Sequence, residues 1–170
     1  QWDRAAFESD KYGRNFLGVP PQGRADYAFL QHIITSLKEE TGRCAILFPH
    51  GVLFRNEESA MREKLVRSDR VECVIGLAAN LFYNSPMEAC IMICRMNKRP
   101  ERRGQVLFIN AVNEEEKKNA QSYLEDRHIQ KIAEAYHQYS DEAGFARVAT
   151  IQDIADHNFS LSIPLYVKQE

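Results

Sequence analysis

Apolar residues recur along this chain with a helical period in several segments. After Asp26 they form one helical stripe, and Gly42 marks its end. A second stripe covers about residues 57–68. A third helix is predicted from Asp126, which we take as its N-cap, and the tetrapeptide TIQD at 150–153 has the form of a capping box for a short last helix. Between these helical segments the pattern changes to the continuous apolar runs expected of buried strands.

Four such runs predict strands that are covered on both faces, because a strand with one solvated face alternates apolar and polar residues. A helix separates the first run from the second, which predicts a right-handed crossover and parallel pairing. The third run follows the second without a helix and is predicted to return antiparallel, as a hairpin at the edge of the sheet. The fold class is therefore α/β, an open sheet with an antiparallel edge hairpin. The runs are CAILFP (44–49), VECVIGL (71–77), ACIMIC (89–94) and QVLFINAV (105–112).

Composition and charge narrow the function classes. The chain has 170 residues, of which 44% are hydrophobic and 27% charged, as in a globular domain with a sizeable core. Its net charge of −2 argues against a protein held on nucleic acid by bulk electrostatics alone. No apolar run approaches the roughly 20 residues of a membrane span, so we expect a cytoplasmic protein that is not bound to a membrane. One local basic segment is either a solvated turn or a phosphate-binding surface. Its members are Arg95, Lys98, Arg99, Arg102 and Arg103.

An insert between the second and third runs is the most informative segment of the chain. The insert, AANLFYNSPME (78–88), is longer than the about two to five residues that a hairpin needs, and long inserts in compact domains are usually functional. It holds an aromatic pair, Phe82 and Tyr83. At the edge where open α/β sheets bind ligands, these rings can stack on a nucleobase. Alternatively, both fold back and cap the core. We expect PHGVLFR (49–55) and the loop before Asp26 to meet the insert at this edge.

Residues with reactive side chains give weaker signals. His50 follows the first run, where a general base could lie, but it lacks a partner with the spacing of a triad, so a structural role is the stronger interpretation. Asp26 either caps its helix or faces a cofactor pocket. The histidines lack ligand spacing, so no metal site is predicted. The four cysteines lie inside apolar runs without a Cys-x-x-Cys pair, which predicts buried, reduced thiols.

Several familiar motifs are absent from the sequence. It contains no Gly-x-Gly-x-x-Gly, no P-loop and no nucleophile elbow. The first 25 residues or so follow neither a helical nor a strand period, and no methionine opens the chain. We therefore expect a fragment of a longer protein, in which another part holds the glycine-rich loop. We also expect the fragment alone to bind a nucleotide-like cofactor weakly or not at all.

Five ordered segments resemble the modification (methyltransferase) subunit of type I restriction–modification systems. This family consists of adenine-N6 DNA methyltransferases that use S-adenosylmethionine on a Rossmann-like sheet. The resemblance implies that the catalytic Asn-Pro-Pro-Phe motif lies upstream, because the only Pro-Pro here follows Val19. It implies no catalytic residue within this chain. The segments are YGRNFLGVPPQGRADYAFLQHII, AILFPHGVLFR, VIGLAANLFYNSPMEACIMIC, KRPERRGQVLFINA and IADHNFSLSIPLYV.

The resemblance also implies roles for individual residues. An aromatic residue in the insert stacks on the flipped adenine, and Phe82 matches it, with Tyr83 beside it. The family usually has Gly-Thr-Gly-Ile-Pro after these aromatics, so Asn84-Ser85-Pro86 predicts a different loop backbone here. The remaining residues fall into three groups: Pro49, His50 and Asn84 at the pocket rim, Asp26 and Phe29 at the edge of the cofactor, and Lys98 and Arg99 on DNA phosphate.

The expected function is accordingly methyl transfer from S-adenosylmethionine to a flipped adenine. Expected partners are DNA, a specificity subunit and a restriction subunit. We expect residues 1–112 to form the C-terminal half of the methyltransferase domain and residues 113–170 to form an α/β extension. Two alternatives stay open: a non-catalytic assembly or DNA-binding module of the same complex, and a related methyltransferase acting on RNA or protein.

Overall fold

The computed structural model describes residues 2–168 and confirms the four predicted strands. A short β-hairpin, a further strand and a first short helix were not predicted. The strands are β1 Arg43–Pro49, β2 Val71–Leu77, β3 Ala89–Arg95, β4 Gln105–Ala111, β5 Glu116–Lys118, β6 Gln121–Tyr123 and β7 Ala146–Thr150. The helices are α1 Arg4–Glu8, α2 Asp26–Thr35, α3 Ser59–Arg67, α4 Asp126–Gln138 and α5 Ile151–Asp156.

The main sheet has five strands in the order β1-β3-β2-β4-β7. β2 and β3 form the predicted antiparallel hairpin, but its predicted place at the edge is wrong, because β3 also pairs antiparallel with β1. The predicted parallel pairing of β1 with β2 is wrong for the same reason: the two strands run in the same direction, with β3 between them. β2 instead pairs parallel with β4, and β4 pairs antiparallel with β7. The hairpin therefore lies inside the sheet and is held on both sides.

Helices cover the sheet on both faces, which explains the continuous apolar runs. Every residue of β2 is buried. On one face, α2, α3 and α5 contribute Leu30, Leu65 and Ile154 to a core against β-strand residues that include Phe108. On the other face, α4 packs Ala135 against the sheet. An open α/β sheet with two covered faces is the predicted fold class, and it is confirmed.

The last third of the chain belongs to the same sheet and core. β7 extends the sheet, and Ile154 and Leu161 are fully buried in the core beside α2 and α3. The division at residue 112 stays a prediction; within the described residues both parts contribute to this sheet and core. The capping box at Thr150 is confirmed, since its side chain accepts a hydrogen bond from the Asp153 amide at 3.0 Å. Asp126 was predicted one residue too late, because Glu125 is the N-cap of α4 and shares a capping box with His128.

The described residues include no helix long and apolar enough to cross a membrane. Within residues 2–168, no three His, Cys, Asp or Glu side chains are grouped as a metal ion would require. All four cysteines are free thiols: Cys73, Cys90 and Cys94 are buried as predicted, whereas Cys44 is only partly buried. Cys44 lies on β1, the strand that forms one edge of the sheet.

Candidate functional site

The end of β1 joins the insert to the start of α2, so the three segments predicted to meet are brought together. The backbone amide of His50 donates to the Glu88 carbonyl at 3.4 Å, and His50 Nδ1 lies 3.1 Å from Glu88 Oε2. On the other side, Arg55 Nη2 donates to Asp26 Oδ2 at 2.6 Å. These contacts fix the C-terminal end of the insert on the end of β1.

Both aromatic side chains of the insert face solvent. Phe82 is 37% exposed and Tyr83 is 87% exposed, so the alternative in which they cap the core is wrong. A tight turn holds Phe82: the Ser85 amide donates to the Phe82 carbonyl at 3.2 Å, and Asn84 adopts a left-handed φ of 55°. Asparagine tolerates this conformation, which explains how the loop turns without the glycines usual in the family.

Phe82 lies between two depressions. The first has a volume of about 220 Å³ and an apolar lining to which Leu47, Pro49 and Met87 contribute. This places Pro49 beside Phe82, and its role at the pocket rim stays a prediction. The second has a volume of about 360 Å³ and separates Phe82 and Asn84 from the hairpin β5–β6. The predicted rim residues Pro49 and Asn84 therefore border Phe82 on its two sides.

His50 borders a different cavity. This cavity has a volume of about 490 Å³ and is lined by Leu53, Asn110 and Ile163, among others. The Nδ1 contact to Glu88 leaves Nε2 buried and without a hydrogen-bond partner among the described residues. His50 thus connects strand and insert, while Pro49 and Phe82 form the rim. Within the described residues, no Ser, Thr or Cys side chain is hydrogen-bonded to His50, so the structural role favoured by the sequence agrees with the geometry.

Asp26 and Phe29, predicted to border a cofactor, contact different parts of the structure. Asp26 is the first residue of α2 but does not cap it, because the N-cap position is Ala25. Its carboxylate instead pairs with Arg55, which also pairs with Glu58. Burial raises the pKa of Glu58, and the paired Arg55 opposes that shift. Phe29 is 62% exposed, in a shallow depression with Trp2 and Phe7.

Lys98 and Arg99 lie at the opposite end of the sheet. β3 begins just after the insert and ends near Lys98, and a strand of seven residues places its ends about 20 Å apart. The side chain of Lys98 is buried, and its Nζ donates to Asp69 Oδ1 and to the Gln105 carbonyl, both at 2.6 Å. The structure therefore contradicts the predicted contact of Lys98 with phosphate. Arg99 is exposed, and its contact with DNA stays a prediction.

The structure adds a feature that the sequence interpretation missed, the hairpin β5–β6. The two strands flanking Asn119 have the short polar pattern of a surface hairpin. It packs against the start of the insert: the Ser122 amide and Gln121 Nε2 donate to the Asn80 carbonyl at 3.0 and 3.1 Å. The contact of His50 with Glu88 could not be predicted from the sequence, because the two residues are 38 positions apart.

A family model described as N-6 DNA Methylase matches residues 1–170. The chain belongs to the N-6 DNA methylase family. Its resemblance to the modification subunits of type I restriction–modification systems, predicted from five segments, is confirmed by the relatives that follow.

Two relatives of this N-6 DNA methylase chain are methylase subunits of type I restriction enzymes. The MjaVIII subunit of Methanocaldococcus jannaschii is 37% identical over 166 residues, which is 94% of this chain and 28% of that relative. The HindI subunit of Haemophilus influenzae is 34% identical and covers 98% of the chain, which spans 38% of that relative. The chain thus spans well under half the length of the curated relatives it matches.

Solved structures agree with the fold. The methyltransferase subunit of a type I restriction–modification system from Streptococcus thermophilus is 35% identical and superposes with a TM-score of 0.89 over 99% of this chain and 36% of its own. The EcoKI M protein, 17% identical, shares the fold with a TM-score of 0.65 over 84% of this chain and 37% of its own. The Rossmann-like methyltransferase fold is therefore confirmed for this N-6 DNA methylase chain.

Proposed function

We propose that this chain is the C-terminal part of the catalytic domain of an adenine-N6 DNA methyltransferase in a type I restriction–modification complex. Family membership and the relatives' names support the reaction class. The observation that carries the assignment of the site is Phe82. It is exposed on an anchored insert, next to Pro49, at the edge of the sheet where α/β proteins bind ligands.

A methyltransferase that modifies a base inside a duplex must first rotate that base into a pocket and hold it there. In our proposal the ring of Phe82 stacks on the flipped adenine. Leu47, Pro49 and Met87 form an apolar floor beside it that excludes water. The contacts of Glu88 with His50 fix the position of the insert and therefore of the ring. Tyr83 is 87% exposed, more than Phe82, and in our proposal it has a secondary role beside the stacking ring.

The methyl donor in this proposal is S-adenosylmethionine, which supplies the methyl group when it is bound. Of the two residues predicted at its edge, Phe29 fits better, because its exposed ring offers a flat apolar surface to an adenine. The carboxylate of Asp26 is held by Arg55, so it is less free to accept a hydrogen bond from a ligand. No residue of this chain is assigned to accept the proton from the adenine amine.

The cofactor assignment has a direct test on the isolated chain. Since the sequence contains no glycine-rich loop, calorimetric titration with S-adenosylmethionine should show no binding at micromolar concentrations. Circular dichroism of the same sample verifies that it is folded. Micromolar affinity of the folded chain would show that these 170 residues hold a complete cofactor site.

The function is tested with the complete subunit that contains this chain, assembled with its specificity subunit. The assembly is incubated with methyl-labelled S-adenosylmethionine and unmethylated genomic DNA, and the digested nucleosides are analysed by mass spectrometry. We expect label in N6-methyladenine and none when RNA replaces DNA. Label in cytosine, or in RNA, would contradict the proposed substrate. Assembly with the specificity subunit without any methyl transfer would favour the non-catalytic module. Binding of a restriction subunit is part of the same proposal.

A further inference from the structure

The hairpin β5–β6 forms the wall of the cleft opposite the insert. The cleft, of about 360 Å³, lies between Phe82 and Asn84 on one side and Lys118, Gln121 and Tyr123 on the other. Two hydrogen bonds from the hairpin to the Asn80 carbonyl hold the two walls of the cleft together. The hairpin therefore keeps a fixed distance from the residue proposed to stack on the flipped base.

Strand alternation directs one lysine of the hairpin into the cleft and its neighbour away from it. Lys118 pairs with Gln121 and Glu116 with Tyr123, so these side chains share the face that borders the cleft. The Nζ of Lys118 lies 6.0 Å from the centre of the Tyr123 ring. Lys117 lies on the opposite face and pairs with Glu115 at 3.0 Å.

The acidic residues around the hairpin pair with cations other than Lys118, which leaves its ammonium group able to bind a ligand. The carboxylates of the segment are matched: Glu114 pairs with Lys131, and Glu116 pairs with Arg127. Within residues 2–168, Lys118 forms no salt bridge and its side chain is exposed; the charge of Glu125 acts on it from a distance, but the carboxylate of Glu125 is paired with Arg127. An exposed ammonium without a salt bridge, beside an exposed aromatic ring, is the combination that binds the backbone and bases of an unstacked nucleic-acid strand.

We propose that this cleft holds the DNA strand beside the flipped nucleotide and that Lys118 binds a backbone phosphate there. The inference rests on the proposed function, since it places the phosphate next to the base that Phe82 holds. It adds a DNA-binding element, the hairpin β5–β6, to the site. It also moves the phosphate contact from Lys98, which is buried, to the end of the sheet that carries the insert.

The test compares two adjacent lysines in the complete subunit assembled with its specificity subunit. DNA affinity is measured by fluorescence anisotropy over a range of salt concentrations. Each phosphate contact contributes about 0.9 to the slope of log affinity against log salt. We expect Lys118→Ala to make this slope shallower by about 0.9, with Lys117→Ala leaving it unchanged and Lys118→Arg retaining it.

The outcomes separate this inference from the proposed function. A wild-type assembly that methylates adenine, together with equal slopes for Lys118→Ala and the wild type, would overturn the inference alone. Equal changes for Lys117→Ala and Lys118→Ala would also overturn it, since they indicate a general effect of charge. A wild-type assembly that transfers no methyl group to adenine would refute the proposed function itself.

Discussion

The two segments that flank β3 use their side chains in opposite ways. At one end, the insert (78–88) exposes Phe82 and Tyr83 to solvent. At the other, the basic turn (98–104) directs two of its four cations inward: Lys98 reaches Asp69, and Arg102 reaches the His137 carbonyl. Basic residues looked like the ligand-binding set from composition, yet in this chain they mainly join elements of the fold. Exposure, not residue type, distinguishes the residues that can meet DNA.

The largest expected effect is at the buried acid beneath the basic turn. Glu72 accepts a hydrogen bond from the Tyr136 hydroxyl. Its Oε2 lies 3.7 Å from Arg95 Nη1 and 3.9 Å from Arg102 Nη1. Burial, with a further effect of Glu72, raises the pKa of Tyr136 to about 12, so the phenol stays a donor. Glu72→Ala leaves the buried Arg102 and the partly buried Arg95 without their partner and should lower the free energy of unfolding by about 3–5 kcal/mol.

Urea denaturation of the 170-residue chain measures this loss. The matched control is Glu63→Ala, which breaks an exposed helical pair with Arg67 and should cost less than about 1 kcal/mol. Equal losses for the two variants would show that the cations of the basic turn are not held by Glu72.

Lys98→Ala tests the inward role of the basic turn directly. It removes the bonds to Asp69 and to the Gln105 carbonyl and should destabilise the chain by about 2–3 kcal/mol. In the complete subunit, the salt dependence of DNA binding should not change. The exposed neighbour is the control: Arg99→Ala should leave stability unchanged. A shallower salt slope for Lys98→Ala, with normal stability, would reverse the comparison.

Phe82→Ala tests the outward role of the insert. In the complete enzyme we expect methylation to fall about 5- to 150-fold, which corresponds to the loss of one stacking contact of about 1–3 kcal/mol. Affinity for S-adenosylmethionine should be nearly unchanged, because the ring lies in the insert. Tyr83→Ala, more exposed and in the same loop, should have a smaller effect. Steady-state rates with labelled cofactor measure both variants, and equal losses would deny Phe82 a special role.

The smallest expected effect is on the reactivity of one thiol, Cys44, at the same end of the sheet as the basic turn. Cys44 and Cys94 face each other across β1 and β3. A hydrogen bond with Cys94 lowers the pKa of Cys44 to about 7. Burial raises the pKa of Cys90 to about 12. Iodoacetamide at pH 8 should therefore modify Cys44 first, as peptide mass spectrometry will show, and Cys44→Ser should abolish this fast phase. Faster modification of Cys90 would contradict this order.

The sequence predicted the strands well, because burial on both faces leaves a continuous apolar signal such as VECVIGL. The order of the strands in the sheet could not be predicted from the sequence. β3 inserts between β1 and β2, and local pattern does not report which neighbour a strand finally pairs with. The strand β7, at the far edge of the sheet, was missed because its five residues, ARVAT, include only one large apolar side chain, Val148, which is too little for a clear pattern.

The site was predicted in part for the same physical reason. Phe82, Pro49 and Asn84 are near one another because the hairpin connection places them at one edge. The burial of Lys98 could not be predicted, since it depends on Asp69, far away in the sequence but close in space. The position of Lys118 likewise depends on how the hairpin β5–β6 packs on Asn80, which no local pattern encodes.

The most direct test of the role of Phe82 uses 2-aminopurine in place of the target adenine, once the methylated position is mapped. This base becomes more fluorescent when it leaves the duplex stack, so binding of the wild-type complex should raise the signal. With Phe82→Ala the rise should differ clearly from that of the wild type, because the flipped base is neither held nor quenched by stacking on the ring, and Tyr83→Ala should resemble the wild type. An identical rise in the Phe82→Ala complex, with wild-type methylation, would contradict the proposal that Phe82 stacks on the flipped adenine.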